Sequence, residues 1–117
     1  MKFNVKIVRL SKYLDKYNVA INEDAKTISK EDYEEIRSML VEVDRKTAYP
    51  IYLTDTIRVY RDDTYSTQLL INQLTGISDT SNSMTINIGD TKSNSWGSIV
   101  ITYNPTTSTG SIIMEEI

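Results

Sequence analysis

Basic side chains and one hydroxyl group lie close together near the start of the chain. Lys2 and Lys6 share one face of a predicted strand, and Arg9, Ser11 and Lys12 follow. Cationic side chains and loop amides are groups that hold the phosphates of a nucleotide. The alternative is a solvated lysine face that discourages association through an edge strand. We interpret Arg9, Ser11 and Lys12 as candidate ligand-binding residues.

A second polar cluster lies where a helix is predicted to begin. Thr64, Ser66 and Thr67 fall near its first turn, where free backbone N–H groups and the helix dipole favour an anion. Asp62 and Asp63 already supply the negative charge that such a position attracts, so the sequence favours capping as their role. The hydroxyl groups of Ser66 and Thr67 remain available to a ligand.

Carboxylates also suggest an alternative, a magnesium site formed by Asp55, Asp62, Asp63 and Asp90. Turn and cap positions explain these residues without a metal ion. The sequence therefore predicts neither a metal site nor a cofactor.

The second half of the chain is rich in Ser, Thr and Asn, and Lys92 is its one cationic residue after Thr64. A polar sheet surface with loops explains this composition. The functional alternative is a surface that hydrogen-bonds a polar ligand or partner. Trp96, in a Ser- and Asn-rich loop, is either a lid on the core or an exposed anchor for stacking or protein contact.

Composition excludes several classes of chemistry. The 117 residues include no His and no Cys, which removes a structural zinc site, a Ser-His-Asp triad and a thiolate nucleophile. The net charge of −3 provides no overall attraction to duplex nucleic acid or an anionic membrane. We expect a single domain over residues 1–117, inside a cell and without catalytic activity.

Hydrophobic spacing predicts an α+β fold: a mixed β-sheet of about five or six strands with two main helices packed on one face. Ser29 and Asp32 predict a capped helix at about 30–39, and Leu69, Leu70 and Leu74 a second one that ends at Gly76. Turns are expected at 44–46, at Gly89-Asp90 and from Asn104 to Gly110, and a loop with a helical turn at 9–18. The predicted strands are Phe3–Val8, 41–43, 51–53, 56–60, 84–88, 99–103 and 111–114.

The stretch from Thr64 to Tyr103 resembles the viral ring nucleases, small dimeric α+β proteins that degrade cyclic tetra-adenylate and act as type III anti-CRISPRs. The matching positions are Ser66 and Thr67, the Leu69–Leu74 helix with Gly76-Ile77, Asn82, the strand Met84–Ile88, Gly89-Asp90 and the strand Ser98–Thr102. The family's catalytic His falls at Thr64, and the Arg that follows its Asn falls at Ser83. The resemblance therefore implies the family's fold without its usual catalysis.

Together these features predict a virus-encoded, non-catalytic relative of the ring nucleases. It would bind a cyclic oligonucleotide or a host defence protein, and so counter immunity in the cytoplasm of an infected cell. The candidate pocket, at a homodimer interface, is formed by Arg9, Ser11, Lys12, Thr64, Ser66, Thr67 and Asn82. One alternative is a protein-interaction or structural module that uses Trp96 and the polar 91–111 surface. The other is a ring nuclease with His-independent catalysis.

Overall fold

A computed structural model of the chain describes Leu10 and residues 12–46, 51–52, 70–91 and 94–116. Leu10 and residues 12–16 are helical, and 12–16 form α1. The remaining elements are β1 (Lys26–Ser29), α2 (Lys30–Lys46), β2 (Ile51–Tyr52), β3 (Leu70–Thr75), β4 (Ser83–Thr91), β5 (Asn94–Asn104) and β6 (Thr109–Glu116). The predicted α+β class is confirmed.

The strands form one six-stranded sheet in the order β1-β6-β5-β4-β3-β2. From β2 to β6 each strand pairs with the next along the chain, and β1 joins the outer edge of β6. Every pairing between these strands is antiparallel, and a single parallel bridge connects Ile21 to Met114. Because β1 and β2 lie at opposite edges, α2 carries the chain from one edge of the sheet towards the other. Its 17 residues span about 25 Å, close to the roughly 24 Å of five strand spacings.

The helices cover one face of the sheet, and the hydrophobic core lies between. From α2, Tyr33, Ile36, Met39, Leu40 and Val43 are buried at helical spacing. The strand side chains on this face are also buried: Ile28, Ile71, Leu74, Met84, Ile86, Ile88, Ile99, Ile101, Ile112 and Met114. The first helical segment contributes three further side chains to this core: Leu10, Tyr13 and Leu14. The predicted packing of helices on one face is confirmed.

The predicted cap of α2 is present. The Oγ atom of Ser29 accepts a hydrogen bond from the backbone N–H of Asp32 at 3.1 Å. This bond satisfies one of the orphan donors in the first turn, where Glu31 and Asp32 also favour the helix dipole. The helix continues to Lys46, so the strand expected at 41–43 and the turn at 44–46 are wrong. Val43 continues the apolar spacing set by Ile36 and Leu40, which favours helix.

The second predicted helix is also wrong over the described residues 70–76. Leu70–Thr75 is the strand β3, which pairs with β4, and Gly76 begins the connection between them. The Gly89-Asp90 turn is wrong as well, because both residues lie within β4, where the pairing with β5 shifts register at Gly89. The strand β1 is absent from the sequence-based prediction.

The strands expected at 84–88, 99–103 and 111–114 are confirmed, as are the first two residues of 51–53. The connection after Asn104 is a turn over residues 105–108. The expected strands Phe3–Val8 and 56–60, and the cap at Asp62 or Asp63, lie outside the described residues.

Candidate functional site

Two of the predicted ligand-binding residues lie in the described part of the chain. Lys12 is exposed at the first residue of α1, and Asn82 is exposed immediately before β4. Between described residues, no hydrogen bond or ion pair joins the two. The other predicted ligand residues lie outside the described ranges: Arg9, Ser11, Thr64, Ser66 and Thr67. The convergence of the predicted pocket therefore stays a prediction.

The loop between β3 and β4, residues 76–82, is closed by its own hydrogen bonds. Gly76 has a φ of +75°, and a Cβ atom there would lie 2.6 Å from the carbonyl oxygen of Ser83. The Ser81 hydroxyl donates to the carbonyl oxygen of Gly76 and is 2.9 Å from that of Ser83. Only glycine combines this backbone conformation with so close an approach. The loop therefore leaves β3 and enters β4 in a defined conformation.

Two side chains of α2 hold this loop against the helix. The hydroxyl of Tyr33 donates to the carbonyl oxygen of Ser81 at 2.7 Å, and Nη1 of Arg37 donates to the same oxygen at 3.2 Å. The backbone N–H of Tyr103 donates to the carbonyl oxygen of Asn82 at 2.9 Å. The backbone of Asn82 is thus held by a hydrogen bond from β5, and the backbone of Ser81 is held by hydrogen bonds from α2.

The same cluster contains a cation next to two stacked aromatic rings. The Arg37 guanidinium carbon lies 5.6 Å from the ring centroid of Tyr33, whose ring stacks on that of Tyr103 at a centroid distance of 5.2 Å. Burial raises the pKa of Tyr33 and outweighs the opposing effect of Arg37. Tyr33 is therefore a neutral hydrogen-bond donor at neutral pH, and Arg37 retains N–H donors beyond the one bound to Ser81. Neither residue is among the ligand-binding residues that the sequence predicts.

A second polar cluster joins α1 to α2. The Tyr17 hydroxyl donates to Asp32, Nζ of Lys16 lies 2.7 Å from the same carboxylate, and the Tyr13 hydroxyl donates to Glu35. Burial by itself raises the pKa of Asp32, but the bonds from Lys16 and Tyr17 outweigh it, so the pKa lies below its usual value. The bond to Asp32 raises the pKa of Lys16. Asp32 and Glu35 of α2 thus connect this helix to the segment that contains Tyr13, Lys16 and Tyr17.

The face of the sheet opposite the helices is the largest functional candidate among the described residues. Strand pairing aligns its side chains: Thr85 lies opposite Val100, and Val100 opposite Ile113. No described helix packs on this face. We call it the open face and define it by Thr27, Gln73, Thr75, Ser83, Thr85, Asn87, Ser98, Val100, Thr102, Ser111, Ile113 and Glu115.

The open face is polar but carries almost no charge. Hydroxyl and carboxamide groups dominate it, and Glu115, near the end of β6, is its one ionisable residue. At its centre the neighbouring side chains of Val100 and Ile113 form a small apolar pair, and both are half-buried. An apolar centre surrounded by uncharged polar groups is the pattern of a protein-contact surface. This arrangement agrees with the hydroxyl-rich surface that the composition indicated.

Trp96 belongs to β5 by its backbone, rather than to a loop, and its side chain lies outside the described part of the structure. The choice between a core lid and an exposed anchor stays open. In the pairing of β5 with β4, Ser95 lies opposite Gly89 and Gly97 opposite Ile88, so Trp96 is the extra residue at a register shift.

Across the described ranges, no three or more acidic, His or Cys side chains are grouped so as to hold a metal ion. Asp55, Asp62, Asp63 and the side chain of Asp90 lie outside those ranges. In the same residues no helix has the length and apolar character needed to cross a membrane.

The resemblance to ring nucleases placed the family's apolar helix at Leu69–Leu74. Of the segment from Leu69 to Leu74, residues 70–74 form a strand, whereas the strands aligned at 84–88 and 98–102 are present. Comparison with protein-family models, curated proteins and solved structures found no match to this chain.

Proposed function

We propose that this chain is a non-catalytic protein-interaction module that binds another protein chain through the open face. The observation that carries the proposal is that one side of a six-stranded sheet has no described helix against it and is almost free of charge. A core-forming face would be apolar, and a face serving only solubility would carry Lys and Glu. The open face has neither composition.

The chemistry of the open face also indicates the class of partner. It has no Lys or Arg with which to contact the phosphates of a nucleic acid or the head groups of an anionic membrane. Ser, Thr, Asn and Gln side chains each donate and accept hydrogen bonds, so they match the mixed polar surface of a protein. A host defence protein, one of the two partners that the sequence predicts, belongs to this class.

The test compares two lysine substitutions that add the same charge at different places. Val100→Lys places a cation at the centre of the open face, and Ser38→Lys places one on the exposed side of α2. Wild type and Ser38→Lys are expected to retain a purified partner that Val100→Lys loses, with all three folded by circular dichroism. Equal retention by both variants would reject the open face as the binding surface.

Binding of a cyclic oligonucleotide is the second candidate function. Arg37 supports it, because its cationic side chain bonds the residue next to the exposed Asn82, and Lys12 is exposed on α1. Calorimetric titration with cyclic oligoadenylates tests it directly, and the absence of any heat rejects it. Arg37→Gln is expected to weaken such binding, whereas Arg45→Gln, farther along α2, leaves it unchanged.

The third candidate function is cleavage of a cyclic oligoadenylate without a His residue. Cleavage would convert the cyclic molecule to a linear product. Incubation with labelled cyclic tetra-adenylate, followed by separation of cyclic and linear forms, decides it. We expect no linear product, because the chain has no His, the residue that acts as general acid in the ring nucleases.

A further inference from the structure

We infer that the chain bound at the open face is a second copy of this protein, packed face to face across a two-fold axis. The inference rests on the proposed function and names the partner of that same surface. In a two-fold dimer each patch meets itself, so the patch must complement its own chemistry. The composition of the open face, the position of its apolar pair and its size each meet this requirement.

The hydrogen-bonding groups of the open face are self-complementary. A hydroxyl or a carboxamide both donates and accepts, so Thr85, Thr102 or Asn87 finds a partner in the same residue type of another copy. A surface of like charges repels its own copy. Only Glu115 carries a charge here, and it is exposed near the end of β6, where a rim position keeps it in water.

The apolar pair of Val100 and Ile113 lies near the centre of the open face, where the buried anchor residues of an interface are usually found. Val100 is in β5, between Thr85 of β4 and Ile113 of β6, and so lies well inside the sheet. Buried anchors near the centre of a contact, enclosed by polar groups that exclude water, supply most of the binding free energy. An axis near Val100 and Ile113 brings the two apolar pairs of the dimer together.

The size of the open face is sufficient for a small dimer contact. The five strands from β1 to β3 have four spacings of about 4.8 Å, which give a width of about 19 Å, and eight residues give a length of about 27 Å. Each copy would thus contribute about 520 Å², or about 1,040 Å² in total, which is about the minimum for a specific interface. Two such sheets pack about 10 Å apart with their strands about 30° from alignment.

Sedimentation equilibrium of the full chain tests the inference, with Val100→Lys and Ser38→Lys as the matched pair. Wild type and Ser38→Lys are expected to be dimers at about 100 µM, and Val100→Lys is expected to dissociate at least about 30-fold more readily. A wild-type monomer at that concentration overturns the inference. A folded Val100→Lys that dimerises as tightly as wild type does so too.

Crosslinking provides a second measurement that does not depend on a buried lysine. The chain contains no cysteine, so Val100→Cys and Ser38→Cys each carry a single thiol. A short bismaleimide is expected to link Val100→Cys into covalent dimers and to leave Ser38→Cys monomeric. The opposite pattern would place the contact on the helices and overturn the inference.

Failure of the inference is distinguishable from failure of the proposed function. If wild type is a monomer while Val100→Lys loses a different purified protein, the second copy is wrong and the interaction module stands. If Val100→Lys changes neither self-association nor the binding of another protein, both the inferred dimer and the proposed function of the open face are rejected.

Discussion

Gly110 of β6 provides the sharpest test of the strand pairing that defines the open face. It lies opposite Ile28 of β1, and a Cβ atom built on it would be 2.7 Å from Cγ1 and 3.1 Å from Cδ1 of Ile28. The carbonyl oxygen of Thr102 would be 3.2 Å away. A contact of 2.7 Å between carbon atoms is inside their van der Waals separation, so Ile28 must move out of a site in which it is 1% exposed.

Gly110→Ala is therefore expected to lower the free energy of unfolding by about 1–3 kcal/mol, the usual cost of overpacking a core. For a chain of this length that corresponds to a fall in Tm of about 4 °C for each kcal/mol. Ile28→Ala by itself creates a cavity and costs about 2–5 kcal/mol. It also removes both Cγ1 and Cδ1, so the double variant should be more stable than the sum of the two losses predicts, by about 1 kcal/mol or more.

Urea denaturation of the four proteins measures this coupling. The matched control is Gly97→Ala in β5, where the one close contact is the carbonyl oxygen of Glu115 at 3.2 Å, so its cost should add to that of Ile28→Ala without coupling. Strict additivity of Gly110→Ala and Ile28→Ala would refute the register between β1 and β6. The assignment of Thr27 to the open face would fall with it.

Three further predictions concern the caps, the acidic network and the last hairpin. Ser29→Ala should cost about 1 kcal/mol of stability in thermal unfolding, because the N–H of Asp32 loses its acceptor; no loss would contradict the capping role. The pKa of Asp32 is lowered in the folded chain, so its carboxylate contributes stability above the unfolded pKa of about 3.9, and this stability is lost as the pH falls through the folded pKa. Asp32→Asn should therefore flatten the acid limb of a pH–stability curve, and an acid limb identical to that of wild type would contradict this role. Ser108→Gly should raise stability by about 0.5–1 kcal/mol, because Ser108 has a φ of +56°, whereas Thr106→Gly in the same turn should lower it; a loss in both would argue against the positive φ.

The strands that the sequence predicts correctly are those with uninterrupted alternation. Met84, Ile86 and Ile88 recur every second residue, and so do the buried residues of β5 and β6, because each strand buries one face only. The two-residue period of the hydrophobic pattern then equals the two-residue period of side chains along a strand. The α+β class follows from these strands together with the capped helix at Ser29.

The pattern fails at β3 because a bulge changes the spacing of its buried residues. The pairing with β4 shifts between Ile71 and Gln73, so Asn72 is an extra residue in the strand. The buried residues Ile71 and Leu74 are consequently three apart, which is a helical interval. The apolar spacing of this segment therefore predicts a helix, and the resemblance to the apolar helix of the ring nucleases was based on the same spacing.

The contacts of α2 with the loop between β3 and β4 join residues that are far apart in the sequence, so no local sequence pattern predicts them. Tyr33 and Arg37 contact Ser81 across 48 and 44 residues of sequence. Their spacing of four on α2 indicates a shared helix face, but not which loop that face meets. The open face is likewise a property of six strands together, since each strand separately shows only alternating polar residues.

Dependence on salt separates the two binding candidates, because they use different kinds of side chain. A phosphate ligand held by Lys12 and Arg37 would bind more weakly as salt shortens the screening length from about 10 Å at 0.1 M to about 3 Å at 1 M. Association through the open face, which has no Lys or Arg, should be unchanged or slightly stronger, since salt favours apolar burial. Titration at low and high ionic strength measures the difference. Self-association that weakens steeply with salt would contradict the open-face contact, and nucleotide binding that ignores salt would contradict a role for Lys12 and Arg37.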